Sequence, residues 1–132
     1  MHIDHIGIAV ADLESAVKTY ETILNSPCSK REIVESEKVE TAFFQTGESK
    51  VELLGATSED SVIAKYIAKK GQGLHHVAFE VDDIYAELDR LRGEGFTVLN
   101  EQPKDGADNK LVAFVHPKDN AGVLVELCQT KK

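Results

Sequence analysis

Two histidines and two glutamates interrupt apolar runs of this 132-residue chain: His5 after Ile3-Asp4, Glu52 between Val51 and Leu53, His76 before Val77-Ala78, and Glu126 between Val125 and Leu127. Imidazole nitrogens and carboxylate oxygens are donors that borderline and hard divalent ions accept, at about 2.0 to 2.2 Å for zinc-like ions. Four of them leave positions open in an octahedral shell, and metal catalysis needs open positions. A single strand histidine is more often an ordinary hydrogen-bonded group. Two glutamates set into apolar strands with no cation, however, would each cost several kcal/mol, so one shared divalent ion per chain accounts for the whole set.

The four residues are related by an internal repeat. Residues 3–13 return 71 positions later as residues 74–84, which aligns His5 with His76, and Glu52 aligns with Glu126 at an offset of 74. Each half predicts a strand, a capped helix and further strands. The first half gives a strand over 3–10, an Asp12 cap, helical apolar positions at 13, 16, 17, 20, 23 and 24, and strands near 39–45 and 50–54 turning at Gly47. A helix over 60–70 bridges to the second half, with a strand over 75–81, a helix to about Arg92 stopped by Gly93 and Gly95, and strands near 96–99, 111–115 and 122–128. The polar stretch from Glu101 to Lys110 reads as a loop. The expected fold is α+β: one domain, 1–132, of two tandem βαβββ modules (about 1–56 and 73–130) forming a curved mixed sheet around a metal-containing cleft.

Strand alternation decides where the donors point. Asp4, Ile6, Ile8 and Val10 form one bulky face and Val77, Phe79 and Val81 another; both belong under helices, which turns His5 and His76 the other way. Glu52 opposes Val51 and Leu53, and Glu126 opposes Val125 and Leu127, so both carboxylates leave the packed face.

Composition narrows the partners. A formal net charge of -8 and no basic run interleaved with aromatics argue against nucleic acid. No membrane-length apolar run and no signal-like start are present, so a soluble, cytoplasmic protein is expected. Cys28 and Cys128 lack metal-type spacing and read as reduced thiols. A polyanionic substrate would need a local basic rim, for which Lys65, Lys69, Lys70, Lys110 and Lys118 are candidates. Asp4, His75 and Glu80 read as caps, hydrogen-bond partners of ligands or surface charge, and His116 either touches substrate or bonds its own turn.

Over essentially the whole length the sequence resembles the vicinal oxygen chelate superfamily, and within it the methylmalonyl-CoA epimerase family. The resemblance rests on Asp4-His5-Ile6-Gly7-Ile8-Ala9, Val51-Glu52-Leu53-Leu54, Asp60-Ser61-Val62-Ile63-Ala64-Lys65, Leu74-His75-His76-Val77-Ala78-Phe79, His116-Pro117-Lys118 and Gly122-Val123-Leu124-Val125-Glu126-Leu127. It departs at Asp108-Asn109, where the family often has His-Gly. It implies interconversion of the C2 epimers of methylmalonyl-CoA, a step of propionate metabolism, in a homodimer using cobalt or another divalent ion (zinc, manganese, nickel or magnesium). It also implies Glu126 as a catalytic base, with Glu40, or Thr41 in its place, where some members put a second one. A glyoxalase-type isomerase acting on a glutathione hemithioacetal and a non-catalytic small-molecule binding module are the alternatives.

Overall fold

The computed structural model describes residues 1–132. In chain order the elements are β1 (His2–Ala9), α1 (Leu13–Leu24), β2 (Lys30–Val34), β3 (Val39–Thr46), β4 (Ser49–Ala56), α2 (Val62–Lys70), β5 (Gly73–Glu80), α3 (Ile84–Gly93), β6 (Lys104–Gly106), β7 (Lys110–Val115) and β8 (Val125–Thr130). The order strand, helix, three strands occurs twice in an α+β fold, as the repeat requires. The chain divides into two compact units, Ile6–His75 and Met1–His5 with His76–Lys132, and the boundary cuts both β1 and β5.

In the Ile6–His75 unit the strands neighbour one another in the order β2-β3-β4-β1. Asp12 caps α1 by accepting from the Ser15 amide at 3.1 Å, a contact worth about 1 kcal/mol, and Asn25 ends the helix in the left-handed conformation. The apolar stripe of α1 (Leu13, Ala16, Val17, Tyr20, Leu24) packs on Ile8, Val10, Ala42, Phe44, Val51 and Leu53, one alternating face of three strands. Gly55 lets α1 come close, since a Cβ there would stand 3.0 Å from the Leu13 Cβ. Truncating the fully buried Phe44 to alanine would cost roughly 3 to 5 kcal/mol. A second cluster joins Ala9, Val39 and Leu54 to Ile63, Tyr66 and Ile67 of α2.

In the other unit the order is β5-β8-β7-β6, with β5 and β8 parallel and the remaining pairs antiparallel. Asp83 caps α3, whose Ile84, Leu88 and Leu91 cover Phe79, Val81, Ala113, Val125 and Leu127. The expected bulky faces are therefore the ones the helices cover.

Three expectations need correction. The strand placed at 96–99 is only an isolated bridge between Val98 and Val115. The stretch read as a loop contributes β6, and β2 had no counterpart in the sequence reading. Both are short, polar outer strands held by backbone pairing to one neighbour, so they lack apolar alternation. Finally, β8 starts at Val125, not 122, because Ala121 and Gly122 take positive φ. No helix is long and apolar enough to cross a membrane.

The hairpins β3–β4 and β7–β8 share one register. Phe43 faces Glu52, Thr41 faces Leu54 and Val39 faces Ala56; in the other, Phe114 faces Glu126, Val112 faces Cys128 and Lys110 faces Thr130.

Candidate metal centre

Three of the four expected ligands meet within one unit. His5 Nε2 lies 3.0 Å from His76 Nε2 and 3.7 Å from Glu126 Oε1, and His76 Nε2 lies 3.2 Å from the same oxygen. All three side chains are buried, at 3%, 7% and 5% exposure. Donors about 2.0 to 2.2 Å from one ion at tetrahedral or octahedral angles are separated by roughly 3 to 3.6 Å. Both the spacing and the chemistry of the set suit a single divalent cation. The His76 ring also packs edge-on to Phe114, centroids 5.8 Å apart, which limits its rotation.

Beside this trio stands a buried ionic cluster. Asp4 Oδ2 accepts from His5 Nδ1 at 2.7 Å. A carboxylate can only accept, so the proton sits on Nδ1 and His5 turns the lone pair of Nε2 toward His76 and Glu126. Asp4 Oδ1 in turn accepts from Lys110 Nζ at 3.3 Å, and that ammonium also donates to Glu80 Oε1 and, at 2.8 Å, to Thr130 Oγ1. Lys110 is 8% exposed, so it belongs to no substrate-facing rim and that expectation is corrected. Its position on the face shared with Val112 and Phe114 takes it inward, and carboxylates meet it there. Burial would pull its pKa down, but the bond to Glu80 and the charges of Asp4 and Glu80 raise it. Asp4, Glu80 and Cys128 also have spacing compatible with an ion, yet the ammonium of Lys110 already supplies the positive charge between the carboxylates.

Burial alone would push the Glu126 carboxyl up; the neighbouring His5 and His76 imidazoles overcome it and hold the group down to about 2. Burial, followed by the charges of Asp4, Glu126 and Glu80, pushes the Cys128 thiol far up, so it stays protonated and inert. Neither cysteine is in a disulfide.

The remaining candidates fall as follows. Glu52, 5% exposed, lies on β4 in the Ile6–His75 unit with Phe43 as its cross-strand partner. Glu40 shares the face of Ala42 and Phe44, which α1 covers, and its carboxylate accepts from Arg31 Nε at 2.9 Å; Arg31 also bonds Glu14 of α1. Glu40 therefore lies on the face opposite Glu52, whereas Thr41, 2% exposed, shares the face of Phe43 and Glu52. His75 packs edge-on against Tyr66, centroids 4.7 Å apart. His116 bonds its own turn, Nδ1 accepting from the Lys118 amide at 3.0 Å. Lys65, Lys69, Lys70 and Lys118 are exposed. Sequence reasoning missed the role of Lys110, although the repeat carried the signal: Lys110 occupies the place that buried Val39 holds in the other hairpin.

The chain matches the model of the glyoxalase/bleomycin resistance protein/dioxygenase superfamily over residues 4–114. It is 41% identical to the mitochondrial methylmalonyl-CoA epimerase of Homo sapiens over 96% of this chain and 73% of that one. Identity to the ethylmalonyl-CoA/methylmalonyl-CoA epimerase of Cereibacter sphaeroides is 40%, over 96% of both. Among solved structures, a variant of Streptomyces coelicolor methylmalonyl-CoA epimerase in complex with 2-nitronate-propionyl-CoA superposes with a TM-score of 0.94 at 37% identity, covering 98% of this chain and 94% of that one. A probable lactoylglutathione lyase of Vibrio cholerae is 27% identical over 97% of this chain and 90% of that one. The chain belongs to the glyoxalase/bleomycin resistance protein/dioxygenase superfamily and, within it, to the family of the methylmalonyl-CoA epimerases.

Proposed function

We propose that this chain interconverts (2R)- and (2S)-methylmalonyl-CoA by proton transfer at C2, with one divalent ion per chain held by His5, Glu52, His76 and Glu126. The observation that carries the proposal is the convergence of His5, His76 and Glu126 within a member of the epimerase family. Glu52 enters as the fourth donor through the repeat: it aligns with Glu126, is equally buried, and faces Phe43 as Glu126 faces Phe114. Cobalt is the ion we assign; zinc, manganese, nickel and magnesium suit the same nitrogen and oxygen set. We further assign a homodimer in the cytoplasm, which size-exclusion chromatography and cell fractionation test.

The proton at C2 of methylmalonyl-CoA lies between a thioester and a carboxylate, so its loss places negative charge on the thioester oxygen as an enolate. A bound divalent ion would supply Lewis-acid stabilisation of that charge. Glu126 is the proton acceptor. Held well below the usual carboxylate range, it is ionised and thus able to accept, at the expense of basicity. Epimerisation is completed when a proton from water reaches the opposite face of C2; Glu40 is not given this transfer, since Arg31 holds it on the α1 face. The 2-nitronate-propionyl-CoA bound by the Streptomyces relative carries a planar anion beside the thioester, the shape and charge an enolate would have.

The test is a coupled assay that consumes only one methylmalonyl-CoA epimer, supplied with the other. Cobalt-loaded protein should turn it over, chelator-treated protein should not, and methylglyoxal with glutathione should give no product. Turnover of the hemithioacetal without epimerisation would replace the proposal with a lactoylglutathione lyase.

A further inference from the structure

We propose that Lys110 is a positioning residue for the metal centre: by anchoring Asp4 it fixes the His5 ring with Nε2 aimed at the ion. The proposal rests on the assignment of His5 as a ligand.

Three observations carry it. First, Lys110, Asp4 and His5 are linked in series by the 3.3 Å and 2.7 Å contacts, and each is buried. Second, an apolar layer lies between the cluster and Glu126. Along β7 and β8 the pair Lys110 and Thr130 is separated from the pair Phe114 and Glu126 by Val112 and Cys128, which pack with Ala78 as an apolar layer. Third, the fold does not need an ionic cluster at this level. The corresponding positions of the other half are Ala9 for Glu80, Val39 for Lys110 and Ala56 for Thr130, and there Ala9 and Val39 pack with Leu54 under α2. Buried ion pairs are commonly no more stabilising than apolar groups of similar volume, so packing alone does not account for a buried lysine here. A ligand histidine, by contrast, depends on the group that holds its far nitrogen, and loss of such support typically costs 10 to 100-fold in metal affinity.

Two variants test this. Lys110→Gln keeps a neutral donor at the site. The triple variant Glu80→Ala, Lys110→Val, Thr130→Ala copies the residues of the other half. Each is purified, stripped with chelator, melted thermally and titrated with Co2+ against a competing chelator, while proton NMR of the stripped protein follows the His5 Nδ1–H. We expect the stripped parent to show a slowly exchanging Nδ1–H and to bind Co2+. Both variants should stay folded, lose the sharp Nδ1–H signal and bind Co2+ at least about 10-fold more weakly. A lowered melting point with parental Co2+ affinity and parental Nδ1–H signal would mark Lys110 as purely structural and overturn the proposal. If Lys110→Gln fails to fold, the triple variant decides; failure of both would also make the cluster a folding element and overturn it. A parent that binds no Co2+ would instead remove the metal assignment, and the proposal with it.

Discussion

The two hairpins superimpose in register but not in chemistry. At the level of the glutamates they agree: Glu52 faces Phe43, Glu126 faces Phe114, and all four belong to strands whose other face lies under a helix. Four residues along each strand they diverge. Val39 and Ala56 complete an aliphatic cluster under α2, whereas Lys110 and Thr130 join Glu80 and Asp4 in a buried ionic one. The agreement shows what the repeat preserves, a carboxylate inside each apolar strand. The divergence shows that packing tolerates either filling, so the polar one calls for a separate explanation, which the bond from Asp4 to His5 supplies.

The largest effects should come from breaking the level at which the halves agree. Glu52→Gln and Glu126→Gln should both weaken Co2+ binding. With the ion restored in excess, Glu52→Gln should recover much of its epimerase activity, while Glu126→Gln should remain down by at least about 100-fold, the scale of a lost general base. Equal recovery of both in steady-state assays would remove Glu126 as the proton acceptor and leave the glutamates equivalent.

The next effect comes from forcing the second level to match. Val39→Lys places an ammonium among Ala9, Leu54 and Ile63 without a carboxylate in that cluster, and should destabilise the protein by about 3 to 5 kcal/mol in urea unfolding. A loss below about 1 kcal/mol would mean that this layer admits water and that the contrast between the halves is superficial.

Glu40→Gln should do least. It weakens a half-exposed bond to Arg31, for which less than about 1 kcal/mol is expected, and epimerisation should run at the parental rate. Loss of conversion with retained proton exchange from one epimer would restore Glu40 as the second proton carrier.

Much of this was legible in the sequence because the proposed ligand positions are anomalies in a strong pattern. His5, Glu52, His76 and Glu126 each interrupt an apolar alternation, and the repeat ties them in pairs; α1 announces itself through Asp12 and its apolar stripe, and α3 as its repeat. The choice between Glu40 and Thr41 stayed open for the opposite reason. One step along a strand reverses the face, and nothing local distinguishes Glu40 from Thr41 until pairing with β4 sets which of them stands with Glu52. Lys110 looked like surface charge because its burial depends on Asp4, 106 positions away, and on Glu80, neither of which a local window includes. The outer strands β2 and β6 form by pairing with β3 and β7 and bury too little apolar surface to leave a pattern.

The central claim, ion-assisted removal of the C2 proton, is tested most directly by exchange with solvent. Methylmalonyl-CoA incubated with the protein in deuterated water is followed by NMR and mass spectrometry. Deuterium should enter C2 as the epimers equilibrate, stop when a chelator removes the ion, and resume when Co2+ is returned. Epimerisation that leaves C2 protonated, or deuterium uptake that proceeds unchanged in chelator, would contradict the account.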